Sequence, residues 1–445
     1  MTRKIVLFLS DRRQDAAEKT YRCPDGSMLT GTQTNEAPVK YLLRTYSDLS
    51  EILCVVTPEA EQTALAGFRE MVAEEAPGVA LRTVPFQEGQ DFSDGVLNEI
   101  VSAVEQGDEI LLDTTGGFRN AIMDLLLLSR VLSYKGIRTI CAVYSNFKTG
   151  QVEDVSRLIG MFELVGGMQE LTRFGSVSTL RRYYQAQPPE KQDQRIKNLL
   201  NAMEKLTETI TLCRTRLIDQ RMEQFDRALC EAEDCDDPLM QALLPVFRSK
   251  FGKKLNTPGL IKWCVESDML QQALTIYKER IPAYLLRERK DLVTVRPDAP
   301  DPNNLKDYED EEEARFFEHL MKMGSNMGKV HFRWDQRALD AVRNGDYTVV
   351  MLEGFEELLP HSYFVPHCPV SQLREIVMDY LYIRALRNMI NHANERETAS
   401  QKCLMEYLAD YRYKRLEDVT AENVRQTILQ SLQHLQPRPR KEKKR

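Results

Sequence analysis

The sequence lacks the long apolar run that a membrane span requires. No window of its 445 residues approaches ~18 uninterrupted apolar positions, and the apolar start at Ile5 is too short for a secretory leader. A cytoplasmic protein without membrane contact is expected. Paired cysteines are missing too. Nine are scattered from Cys23 to Cys403 with no C-x-x-C pair, which argues against a disulfide framework and a zinc site and predicts reduced core thiols. There is no G-x-G-x-x-G, no Walker A sequence and no H-E-x-x-H, so the usual dinucleotide, nucleoside-triphosphate and zinc-peptidase fingerprints are absent. His319, His331, His361 and His367 form no ligand pattern, and neither a metal nor a cofactor is expected.

What is present reads as a packed globular chain: 42% hydrophobic and 29% charged residues, over a length that suits two or three domains. The net charge of -7, from 60 basic and 67 acidic residues, makes the whole molecule a poor electrostatic partner for nucleic acid. Any RNA contact must be local. Six carboxylates between Asp307 and Glu313 and six basic residues in 438–445 read as a solvated loop and a solvated tail, because like charges repel and resist burial. The carboxylates follow no apolar strand, which argues against a metal-nuclease cluster.

The first 160 residues alternate short β-rich runs with helical patterns. Residues 5–10, 51–57, 79–86, 109–115 and 139–146 are largely apolar on both faces and predict strands, and 150–156 predicts a last one. Between them, 37–47, 60–76, 92–106 and 118–135 carry apolar residues at three- and four-residue spacing. That alternation predicts a parallel sheet with helices on both sides. Residues 21–34 are polar, contain Pro24-Asp25-Gly26, and predict a small hairpin projecting beside the strand ends. Beyond a stretch of Gln, Pro and charge at 185–195 the periodicity becomes helical, so the domains are read as 1–185 and 186–445, with a proline-rich loop at 292–313. The fold class expected is therefore an α/β Rossmann-like parallel sheet followed by a mostly α-helical domain.

Two segments carry chemistry. In an open parallel sheet ligands bind beyond the carboxyl ends of the strands. There the fourth main strand runs into Asp113-Thr114-Thr115-Gly116-Gly117-Phe118-Arg119-Asn120 and then an apolar helix. Paired glycines permit close approach, free amides at a helix start attract anions, and Thr114, Thr115 and Arg119 add donors; a tight turn without a ligand fits the same residues. In the second half, Leu373, Val377, Tyr380 and Leu381 share one helical sector, which continues into Arg384, Arg387, Asn388, Asn391 and His392. A polar cluster continuing an apolar stripe is either a satisfied buried network or a cleft. Histidine exchanges protons near neutrality, a guanidinium holds phosphate and an amide orients either. The set therefore suits cleavage of a phosphodiester by its own 2′-hydroxyl.

The loop at 113–119 and Arg387-Asn388-Met389-Ile390-Asn391-His392-Ala393 together resemble the ancillary ribonucleases of type III CRISPR systems, of the Csm and Csx types. Tyr144-Ser145-Asn146, residues 150–155, Ile261-Lys262-Trp263-Cys264, residues 271–274 and Glu279-Arg280-Ile281-Pro282 extend the likeness over nearly the whole chain. The resemblance implies a Rossmann-like CARF sensor followed by a helical HEPN nuclease. Arg387 and His392 would take the R-x-x-x-x-H roles and Asn388 that of their polar companion. The implied activity is metal-independent cleavage of single-stranded RNA in antiviral defence, leaving a 2′,3′-cyclic phosphate. The implied activator is a cyclic oligoadenylate bound at a two-fold homodimer interface, lined by Ser10, Thr57, Thr114, Thr115, Gly116, Gly117 and Arg119. The nuclease cleft would draw on both subunits. A reading from another class is a sensor whose helical domain only dimerises or docks a partner.

Overall fold

The computed structural model describes residues 2–12, 17–87, 95–117, 120–252, 254–296, 347–392, 399–411, 413–414 and 419–436. They divide into two compact units, 1–166 and 167–445.

The first unit is built on β1 (Arg3–Phe8), β2 (Lys19–Arg22), β3 (Met28–Gly31), α1 (Glu36–Thr45), β4 (Leu49–Val56), α2 (Pro58–Thr63), α3 (Leu65–Glu75), β5 (Ala80–Pro85), α4 (Val96–Ser102), β6 (Glu109–Asp113), α5 (Ala121–Tyr134), β7 (Arg138–Asn146) and β8 (Gln151–Asp154). The strands form one sheet in the order β3-β2-β8-β7-β6-β1-β4-β5. Its centre is parallel: β1 pairs with both β4 and β6, β4 with β5, and β6 with β7. The alternation of side chains along β1 explains why apolar residues occupy both faces. Ile5, Leu7 and Leu9 pack with α1 and α3 through Leu42 and Phe68, whereas Val6 and Phe8 meet Leu125 and Leu128 of α5 on the other face.

The structure departs from the expectation in three places. Residues 60–76 form two helices rather than one, broken at Ala64, whose backbone (φ -123, ψ -33) lies outside the helical range. The 21–34 hairpin does not project beside the strand ends. It extends the sheet, β2 pairing in parallel with β8 at Arg22↔Gln151, because Tyr21 and Leu29 are buried and carry it into the core. Its turn forms as expected: Asp25 Oδ1 accepts from the Ser27 amide at 2.9 Å, and Gly26 takes φ +86. The third departure is β8, the expected last strand, which runs antiparallel to β7.

The helix α6 (Ser156–Phe174) crosses the division between the units. The second unit continues with α7 (Ser178–Ala186), α8 (Gln194–Thr211), α9 (Ile218–Glu233), α10 (Pro238–Ser249), α11 (Thr257–Glu266), α12 (Leu270–Glu288), β9 (Val293–Val295), α13 (Tyr347–Glu353), α14 (Phe355–Leu358), β10 (Phe364–Pro366), α15 (Val370–His392), α16 (Ala399–Ala409) and α17 (Ala421–His434). Asp193, Asp237, Asn256 and Thr420 cap α8, α10, α11 and α17 through side-chain oxygens, which satisfies amides left free at those helix starts. Val293–Val295, at the head of the segment expected as a loop, pairs antiparallel with Phe364–Pro366. The acidic run at 307–313 and the basic tail at 438–445 lie outside the described residues. Among the described residues, no helix is long and apolar enough to cross a membrane.

Candidate functional site

In the first unit β6, β1 and β4 are neighbours, so Thr114–Gly117, Ser10 and Thr57 all follow strands that end along one edge of the sheet. Asp113, at the end of β6, is fully buried. Its Oδ1 accepts from the Thr115 amide at 2.9 Å and its Oδ2 from Asn35 Nδ2 at 2.7 Å. Burial pushes the carboxyl up to about 6, against the donors at Thr115 and Asn35 that hold it down. The same Asn35 Nδ2 donates to the Phe8 carbonyl at 3.2 Å. Its Oδ1 accepts from the Ser10 amide at 3.0 Å and from Gln33 Nε2 at 2.8 Å. A single amide therefore stitches β1, β6 and the hairpin exit together.

The expected ligand loop is partly committed to this framework. The Thr114 hydroxyl donates to the Val143 carbonyl at 2.9 Å, and Thr115 Oγ1 accepts from the Ser145 amide at 2.7 Å, tying the loop to β7. Gly116 is needed for close approach: a Cβ there would lie 1.8 Å from the Phe8 carbonyl oxygen. Gly117 has φ +88, and a Cβ would stand 2.7 Å from that of Ala121. Thr57 caps α2, its Oγ1 accepting from the Ala60 amide at 3.2 Å. Ser10, Thr57 and Thr115 are half-buried and Gly117 is exposed, so these four reach the surface of the edge. Arg119 lies outside the described residues. Asn35 and Gln33 escaped sequence reasoning. Asn35 occupies the position before α1 where a capping side chain belongs, but makes no capping bond because its amide serves the strands instead.

In the second unit α15 is sealed along most of its length. Leu373, Val377, Tyr380 and Leu381 are buried as their spacing predicts, but so are Ile376, Met378, Tyr382 and Ile383, which face other directions. The helix packs on both α12 and α17, so its core face is not a stripe. Burial relaxes toward the end, where Arg384, Arg387 and Asn388 are half-buried. Arg387 Nη1 donates to Asn388 Oδ1 at 3.4 Å and Nη2 to Glu279 Oε1 of α12, also at 3.4 Å. The backbone of α15 continues through Asn391 and His392, placing His392 one turn beyond Asn388; the side chains of Asn391 and His392 lie outside the described residues. The Thr215 hydroxyl donates to Glu279 Oε2, and Arg280 pairs with Asp219. Burial pushes the Cys213 thiol up, against a hydrogen bond with Thr275 that lowers it, with weaker opposed effects from Glu279 and Arg387. An uncharged thiol therefore sits beside the ion pair.

On the same helix, away from that end, Asp379 and His434 form a buried pair. His434 Nδ1 lies 2.6 Å from Asp379 Oδ2, its Nε2 3.7 Å from Glu375 Oε2, and Tyr413 donates to Asp379 Oδ1 at 2.8 Å. These residues join α17 to α15. Neither Glu279 nor Asp379 was singled out from the sequence as functional; a carboxylate on an apolar helix face was the available signal. Among the described residues, no three His, Cys, Asp or Glu side chains converge so as to hold a metal ion.

No protein-family model and no curated protein matches the chain.

Proposed function

We propose that the chain is an endoribonuclease that cleaves single-stranded RNA without a metal, is switched on by a cyclic oligoadenylate, and acts in type III CRISPR defence. The observation that carries this reading is the end of α15. An otherwise sealed helix there turns half-exposed and offers Arg387 and Asn388 in mutual contact, with His392 one turn on. In this reading Arg387 holds the scissile phosphate and Asn388 orients it. His392 moves protons as the 2′-hydroxyl attacks phosphorus and the 5′-oxygen leaves, giving a 2′,3′-cyclic phosphate and a 5′-hydroxyl end.

The activator is assigned to the sheet edge at Ser10, Thr57, Thr114, Thr115, Gly116, Gly117 and Arg119. The hydrogen-bonded Asn35–Asp113 framework supports that assignment, because it holds the loop's shape before a ligand arrives. A homodimer is part of the proposal. It is supported by apolar side chains left exposed on the first unit: Ile122, Met123, Leu127 and Tyr134 of α5, and Leu158 and Phe162 of α6. Large apolar side chains left exposed on successive helix turns are the kind of surface that association covers. The proposal is tested by incubating the protein with labelled RNA and cyclic oligoadenylates of several ring sizes. Activator-dependent cleavage, undiminished by EDTA, is expected.

A further inference from the structure

Among the described residues, the Arg387 guanidinium is met from two sides, by Asn388 on its own helix and by Glu279 of α12. Both contacts of its outer nitrogens are 3.4 Å long, near the limit of a hydrogen bond, and its Nε is buried without a partner among the described residues. Glu279 is fixed far better. Its Oε2 receives the Thr215 hydroxyl, and the neighbouring Arg280 is tied to Asp219, so this turn of α12 is anchored both to the segment before α9 and to the first turn of α9. The side chains of Arg387 and Glu279 are only 18% and 15% exposed. Removing both charges from water is costly, and apolar residues of similar size would stabilise the same contact as well or better, so stability alone does not account for the pair.

We propose that Glu279 is a positioning residue for the cleavage reaction. It holds the guanidinium of Arg387 by Nη2 toward α12, fixing the direction from which the charge meets the phosphate, without itself touching RNA. The long arginine side chain loses rotational freedom to Glu279 before substrate binds, and orientation secured in advance lowers the barrier rather than the affinity. Thr215 acts one step further out by fixing the carboxylate. The inference rests on reading Arg387 and His392 as the cleavage site.

The test compares wild type, Glu279→Gln, Glu279→Asp and Arg387→Ala in activator-stimulated cleavage of labelled RNA, with kcat and KM measured separately. Glutamine keeps the shape and an acceptor for Thr215 but removes the charge. It is expected to lower kcat by ~10- to 100-fold while KM changes less than about threefold, and aspartate is expected to restore part of the loss. A packing role alone would not divide kcat from KM in this way, nor respond to the restored charge. Should Glu279→Gln fail to fold, as judged by circular dichroism and thermal melting, Thr215→Val takes its place, with a fall in kcat in the same direction. Unchanged kcat in the glutamine variant, or faster cleavage from a carboxylate that had been a brake, overturns the inference. An inactive Arg387→Ala beside a fully active Glu279→Gln overturns this inference alone. A fully active Arg387→Ala overturns the site reading on which it rests.

Discussion

Asp113 is a carboxyl on which two forces disagree: burial favours the neutral form, while two N–H donors favour the anion, and burial wins by raising it to about 6. A folded-state value above the unfolded one, about 4, means that its contribution to stability is complete below about pH 4 and is lost as the pH rises through about 6. Replacing it with asparagine sets an N–H group against one of those donors. Asp113→Asn is expected to cost ~1–3 kcal/mol at neutral pH in urea unfolding, with a larger gap to wild type at pH 5 than at pH 7. The neighbouring glycines show what the sequence could and could not convey. Two adjacent glycines signalled a close approach, and the approach exists, but it is to the Phe8 carbonyl, Asn35 and Ala121. Phe8 and Asn35 were invisible because they lie over 80 residues before Gly116 in sequence. A bulky side chain at Gly117 would strain the backbone whether or not a ligand binds there, so the pocket is better probed from Ser10. Its side chain reaches the surface while its backbone holds the framework bond. Ser10→Glu sets a negative charge toward the activator phosphates. It is expected to raise the activator concentration for half-maximal cleavage by about tenfold or more, while leaving the melting temperature within a few degrees of wild type.

Elements were legible where one rule dominated. β1, β4, β6 and β7 are short apolar runs between helical periods, and a strand buried on both faces must read so. The direction of β8 was not legible, because a strand following a short turn pairs with its predecessor whichever way the sheet has been running. α15 illustrates the opposite limit. Two of its polar residues lie wholly inside: Gln372 is buried and donates to the His434 carbonyl at 2.8 Å, and Asp379 is buried against His434 and Tyr413. Pairs of this kind lie far apart in sequence and leave no periodic trace. The Asp379–His434 contact joins α17 to α15, and deleting Asp379 removes it together with the acceptor of the Tyr413 hydroxyl. Asp379→Ala is expected to destabilise the protein by ~1–3 kcal/mol, with amide exchange in α17 accelerating more than in β1, β4 or β6. Equal acceleration in the two regions would mean that the pair is not what holds α17 in place.

At the scale of the whole molecule, two compact units each carry one of the two constellations, a glycine turn tied to Asp113 at the sheet edge in the first and a guanidinium–amide pair on the helix bearing His392 in the second. The proposed function requires association, since a two-fold activator needs two sheet edges and the exposed faces of α5 and α6 offer a surface to share. A solution mass near twice 51.4 kDa is expected, and Met123→Glu combined with Leu127→Glu should shift it toward one chain and abolish stimulated cleavage. The central claim concerns chemistry at His392, and one assay reaches it directly. Wild type and His392→Ala are compared for cleavage of labelled single-stranded RNA, in EDTA, with and without cyclic oligoadenylates. The account predicts stimulated cleavage by wild type, yielding 2′,3′-cyclic phosphate ends, and a loss of ~10²- to 10⁴-fold in the alanine variant with activator binding retained. Full activity in His392→Ala, or no RNA cleavage by wild type with any ring size, would contradict it.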